Sequence, residues 1–138
     1  MADNNFNEDE LFRLVPTDKF DENSLDKIDL LSDPEIQIIM MELVEWLQDP
    51  NWPVFDRLTE ILKKRQHIII PYIKRVLESG DVEWKKYILE YLVSNFADEY
   101  IIPLKEELYA IISAEESDDE DFADLQVVAG KLYARVNK

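Results

Sequence analysis

The stretch Ser32-Asp33-Pro34-Glu35-Ile36-Gln37-Ile38-Ile39-Met40-Met41-Glu42-Leu43-Val44-Glu45-Trp46-Leu47, residues 32–47, reads as one amphipathic helix with its start written in. Ser32 and Glu35 have the spacing of a capping box, in which each side chain accepts a backbone N–H of the other residue. Pro34 falls in the first turn, where a missing N–H costs nothing. Ile36, Ile39, Met40, Leu43, Val44 and Leu47 recur at steps of three and four, which makes one continuous apolar face. Asp49-Pro50 ends the run, because a residue before proline is driven out of the α region.

The same signals recur on both sides. Glu8 to Leu14 allows a short helical turn ended by Pro16, and Leu25, Ile28 and Leu31 define a helix from about Ser24. Asn51 is placed to cap a helix from Trp52 to about Arg65, with Pro53 in its first turn and Val54, Leu58, Ile61 and Leu62 inward. Pro71 is expected to open a helix with Ile70, Ile73, Val76 and Leu77 inward, ending at Gly80. Asp81 caps the next, where Trp84, Ile88, Leu92 and Phe96 step by four. Pro103 is expected in the first turn of a helix carrying Leu104, Leu108, Ile111 and Ile112. A further capping box, Ser117-x-x-Glu120, precedes Phe122, Leu125, Val128, Ala129, Leu132 and Val136.

With 138 residues and 46% apolar side chains, the chain suits one compact domain with a true core. Its two glycines, Gly80 and Gly130, are too few for a sheet built on hairpin turns. Lack of cysteine excludes disulfides, thiolate catalysis and Cys-ligated zinc. No signal peptide pattern opens the sequence and no apolar run is long enough to span a bilayer, so a cytoplasmic protein is expected, with no membrane association. The net charge is −16, concentrated toward the ends: residues 1–35 hold 11 acidic and 3 basic side chains, and residues 115–138 hold 7 and 3. Such a field repels nucleic acid and favours a basic protein partner; plain solubility explains it equally well.

An internal repeat of about 32 residues relates Asp49 and Trp52 to Asp81 and Trp84, and Ile68-Ile69-Ile70-Pro71 to Tyr100-Ile101-Ile102-Pro103. A helix with proline near its start, a turn at aspartate and a following helix together resemble a HEAT-type unit, although each unit is short for one. The expected fold is all-α, a HEAT-like right-handed stack of antiparallel helical hairpins with five to seven helices. The hairpins would span 33–65, 70–96 and 102–137, with 24–31 capping one end. Residues 1–20 form an acidic, partly ordered segment and 21–138 a single helical-repeat domain; an irregular helical bundle is the alternative.

Trp46-Leu47-Gln48-Asp49-Pro50-Asn51-Trp52-Pro53 is the densest cluster of unusual residues. It resembles the W-L-Q-D-x-N-W-P signature of an uncharacterised bacterial family. Pro16-Thr17-Asp18-Lys19 and Asp81-Val82-Glu83-Trp84-Lys85-Lys86 extend that resemblance over most of residues 16–112. The resemblance implies a fold and carries no activity.

Read from the residues alone, Asp49, Asn51, Pro53 and Asp81 form structural turns and caps. Trp52, Trp84, Tyr87 and Tyr91, with Lys85 beside them, form either a buried seam between repeats or an aromatic strip for a partner. The basic cluster Lys63, Lys64, Arg65, Lys74 and Arg75 reads as helix C-termini or as an anion patch. His67, the one histidine, is expected as an ordinary polar residue in an inter-helix turn, and Asp118 to Asp121 as a solvated helix start. Neither they nor any other pattern specifies a catalytic residue, a metal site or a cofactor. Two functions compete. One is a non-catalytic protein-binding module, for instance an immunity-type protein neutralising a basic toxic enzyme. The other is an enzyme or small-ligand binder using carboxylates in a groove between repeats. An adaptor without a single partner is a third, and the oligomeric state is open.

Overall fold

The computed structural model describes residues 6–115 and 118–137. Among the described residues there is no strand, and the helices number eight, where five to seven were expected. They are α1 (Glu8–Leu14), α2 (Leu25–Asp29), α3 (Asp33–Glu45), α4 (Pro53–Lys63), α5 (Gln66–Leu77), α6 (residues 82–95), α7 (residues 98–112) and α8 (Glu120–Val136). α6 begins as α-helix, passes through a π turn at Ile88–Leu92 and tightens to a 3₁₀ turn at Val93–Asn95. No described helix is long and apolar enough to cross a membrane. The chain divides into two compact units, Met1–Ile69 and Ile70–Lys138.

Helix starts follow cap chemistry where a cap is within reach. The box at Ser32 and Glu35 forms as expected, and another, at Asn7 and Glu10, starts α1, the helix that raises the count. Asp81 Oδ1 accepts the Trp84 N–H at 3.0 Å. Ser117 lies outside the described residues, and the Asp119 side chain caps α8. Asn51 does not cap α4: Pro53 is the first helical residue and Trp52 the N-cap, which leaves Asn51 one residue too early.

The two repeat prolines were expected in first turns and sit deeper. α5 starts at Gln66 and α7 at Asp98, each five residues before its proline. A proline there removes one helical hydrogen bond, and α7 narrows to a 3₁₀ turn at Ile102–Leu104 around it. Ile69 and Ile101, both 0% exposed, pack inward and hold the extra turn. The inward residue of α5 is therefore Ile69, and Ile70 is only half-buried. The face of α3 is the one its spacing predicts, with Ile36, Ile39, Met40, Leu43, Val44 and Leu47 all buried.

In the first unit, long-range pairings rise together in number. Phe6 meets Glu35, and Val15 shares a groove with Glu42, Glu45 and Trp46, so α1 runs parallel to α3. Asp26 pairs with Arg57 and Asp29 with Lys64, so α2 runs parallel to α4. In the second unit, Lys86 meets Asp121 and the Ser94 carbonyl meets Arg135, so α8 runs parallel to α6. Against α7 the order reverses. Tyr109 meets Tyr133, Gly130 faces Ile112 and Gln126 reaches the Ala114 carbonyl, so α7 and α8 are antiparallel.

Each unit has an arginine in the same role. Arg65, 8% exposed, donates to the carbonyls of Asp29 (3.1 Å) and Leu31 (2.6 Å) and to Asp33 Oδ1 (2.7 Å). Arg135 donates to the carbonyls of Ser94 (3.0 Å) and Phe96 (3.1 Å) and to Asp98 Oδ1 (2.7 Å). In both, the acceptors are an aspartate opening a helix and the carbonyls two and four residues before it. One guanidinium thus closes the turn between α2 and α3, and one the turn between α6 and α7. The basic cluster is therefore largely paired: Lys63 bonds Glu60 and Lys64 bonds Asp29. His67 is not a turn residue; it lies in the first turn of α5 with Nε2 2.8 Å from Asp33 Oδ2.

Replacing Arg65 by Met leaves two carbonyls and Asp33 without their donor, and should lower unfolding free energy by about 3 kcal/mol in denaturant titration.

Acid sensitivity follows with a definite sign. The His67 hydrogen bond, then Arg65, hold Asp33 below its ordinary 3.8. The Ser32 backbone amide holds Glu35 below 4.5, and the Thr17 amide holds Asp21 below 3.8. A carboxyl with a depressed folded pKa stabilises the fold above its unfolded pKa, and loses that contribution as pH falls through the folded one. Thermal melts should be flat in this respect from neutral down to about pH 5 and fall below about pH 4, with Asp33→Asn flattening the fall.

Candidate functional site

The motif from Trp46 to Pro53 folds as a double turn between α3 and α4. Trp46 is the C-cap of α3, and Leu47, 1% exposed, enters the core. Asp49 Oδ1 accepts the Asn51 N–H at 2.9 Å and the Asp49 carbonyl accepts the Trp52 N–H at 3.1 Å. This is an Asx turn followed directly by a helix start, which proline at 53 fixes. The turn brings the two indoles edge to face, with centroids 5.5 Å apart and planes at 66°. Both are half-buried. They line an open groove of about 310 Å³ with Val15, Glu42, Glu45 and Gln48.

The other expected residues belong to the second unit. Tyr87 and Tyr91 are neighbours, with ring centroids 6.2 Å apart. Lys86 Nζ lies 5.2 Å over the Tyr87 ring and 3.6 Å from Asp121 Oδ1. Tyr91 is 42% exposed and sits inside the π turn. Trp84 is half-buried. Lys85 lies elsewhere, lining a groove of about 340 Å³ with Glu78, Glu107 and Phe122. Trp52 and Trp84 are not equivalent: Trp52 is an N-cap, whereas Trp84 is the third residue of its helix.

Trp46, Glu42 and Glu45 were not singled out by the sequence as binding residues. The available signal was that α3 ends in acidic residues with no base in its last turn, against the helix dipole. Glu107 was likewise missed; its Oε1 is buried with no hydrogen-bond partner. Among the described residues no group of His, Cys, Asp and Glu is arranged to hold a metal.

The described residues define an all-helical protein of two compact units, with a pair of tryptophans at one turn and a strong excess of acidic residues. The chain belongs to the family described as a domain of unknown function (DUF5071), which matches residues 14–133. No curated protein matches it.

The turn aspartates give a direct check. Asp49→Ala and Asp81→Ala each remove a side-chain acceptor of a backbone N–H, and should each cost about 1 kcal/mol in chemical denaturation. Unchanged midpoints would remove that role.

Proposed function

We propose that this protein is a non-catalytic protein-binding module, of the immunity type, that covers a basic protein partner. The carrying observation is electrostatic. The chain has net charge −16, and Arg57, Lys63, Lys64, Arg65, Lys86 and Arg135 are already paired with carboxylates of the chain itself. The remaining surface is dominated by unneutralised acid, which steers a cationic partner inward. Aromatic rings at partly exposed positions, Trp46 and Trp52 in one unit and Tyr87 and Tyr91 in the other, supply anchors of the kind that dominate interfaces.

A HEAT-like stack is the architecture proposed with this function. Its support is the parallel course of α1 with α3, α2 with α4 and α6 with α8, at offsets near the repeat length. The cytoplasm is the compartment proposed with this function.

A second reading is favoured by one feature. The groove of Lys85, Glu78 and Glu107 holds a buried carboxylate oxygen without a partner, which suits a small cationic or hydrogen-bonding ligand.

Affinity purification from the native host, followed by binding kinetics with the purified partner, separates the two. The expected partner is basic, and its association slows as ionic strength passes about 0.15 M. Tyr91→Ala should weaken it about tenfold while leaving the melting temperature unchanged. An acidic partner, or one indifferent to both salt and Tyr91, would overturn the proposal.

A further inference from the structure

We infer that the groove lined by Trp46 and Trp52 is a receptor for a single arginine side chain of the basic partner. This deepens the binding reading above and rests on it.

The groove is mostly apolar, yet two of its six described lining residues are glutamates, and none of the described lining residues is cationic. Glu42 and Glu45 lie three apart and so share one side of α3, with Trp46 four after Glu42. No described cation is within ion-pair distance of either carboxylate, and Arg57, Lys63, Lys64 and Arg65 of the same unit pair with other carboxylates. Both sit in the last turns of α3, and the helix has no base in its final turn to offset them. Helix C-termini carry negative partial charge from their unbonded carbonyls, so acid there works against the fold. A local choice that opposes stability is expected where a surface serves binding.

The chemistry of the lining selects the occupant. Two indole rings, with their planes at 66° to each other, line the groove beside the two glutamates. A flat cation stacks on a ring face, and its N–H fork meets carboxylates beside it. Guanidinium meets both demands; lysine ammonium is a compact, strongly hydrated charge and meets the second only.

The test uses the full chain and short blocked peptides of the form Ala-X-Ala, with X as arginine, lysine, citrulline or norleucine. The three tryptophans give three indole N–H signals in nitrogen-15 NMR, and Trp84, in the other unit, is the internal control. Arginine peptide should shift the Trp46 and Trp52 signals and leave Trp84 still, with lysine weaker and citrulline and norleucine inactive. Glu42→Gln with Glu45→Gln should weaken arginine about tenfold, as loss of a charge-assisted contact does. The same double variant should melt no lower than the parent, because it relieves an unfavourable helix end. Equal shifts at Trp84, binding of norleucine as tight as arginine, or unchanged arginine affinity in the double variant would overturn the assignment. A lower melting temperature in the double variant would make the glutamates structural and overturn it too. The two proposals fail separately. A basic partner that binds the double variant at full strength overturns the groove and leaves the module; arginine binding without any basic partner does the reverse.

Discussion

Two arginines hold the turns on which this fold depends. A helix that ends leaves carbonyls unbonded, and a turn between helices leaves several of them close together. Burying such a turn requires a donor that reaches more than one acceptor. Arg65 and Arg135 do this with the fork of a guanidinium, each taking two carbonyls and one aspartate. The aspartate opens the following helix, so one side chain fixes both the end of one helix and the start of the next. Asp33 then also meets His67, which ties the first turn of α5 to the start of α3.

This places the stability of the first unit partly in charge. Three carboxyls there, Asp21, Asp33 and Glu35, are held below their usual range by hydrogen bonds from Thr17, His67 and Ser32 respectively. The apolar core is continuous with that network: Leu25, Ile28 and Leu31 are buried beside the carbonyls that Arg65 takes. The acidic surface beyond is a different matter. Glu42 and Glu45 stand at the helix end that disfavours negative charge, and the last turn holds no base to offset them.

The candidate site was legible only in fragments. Trp52, Trp84, Tyr87 and Tyr91 stood out because interfaces are enriched in tryptophan and tyrosine, and Tyr87 and Tyr91 do adjoin as their spacing requires. Trp46 was visible as part of the turn motif but not as a binding residue, and Glu42 and Glu45 were hidden, since they have the form of an ordinary amphipathic helix end. Only the Asx turn at Asp49 shows that Trp46 and Trp52 meet. Lys85 was grouped with the tyrosines by sequence proximity, but neighbouring positions on a helix point about 100° apart, and it lines a separate groove.

The sequence by itself determined the helices. Period and caps are local, so Ser32 with Glu35, Asp81 with Trp84 and the apolar face of α3 could be read within a few residues. Tertiary structure decided what is not local. It carried α5 and α7 five residues upstream of their prolines, because burial of Ile69 and Ile101 outweighs one lost hydrogen bond. It also set the pairing of Arg65 with Asp33 and of Arg135 with Asp98. These pairs are 32 and 37 residues apart, so no fixed spacing announces them. A carbonyl needing a donor is invisible in sequence, since every residue has one; only the approach of a distant arginine shows which carbonyls were left open.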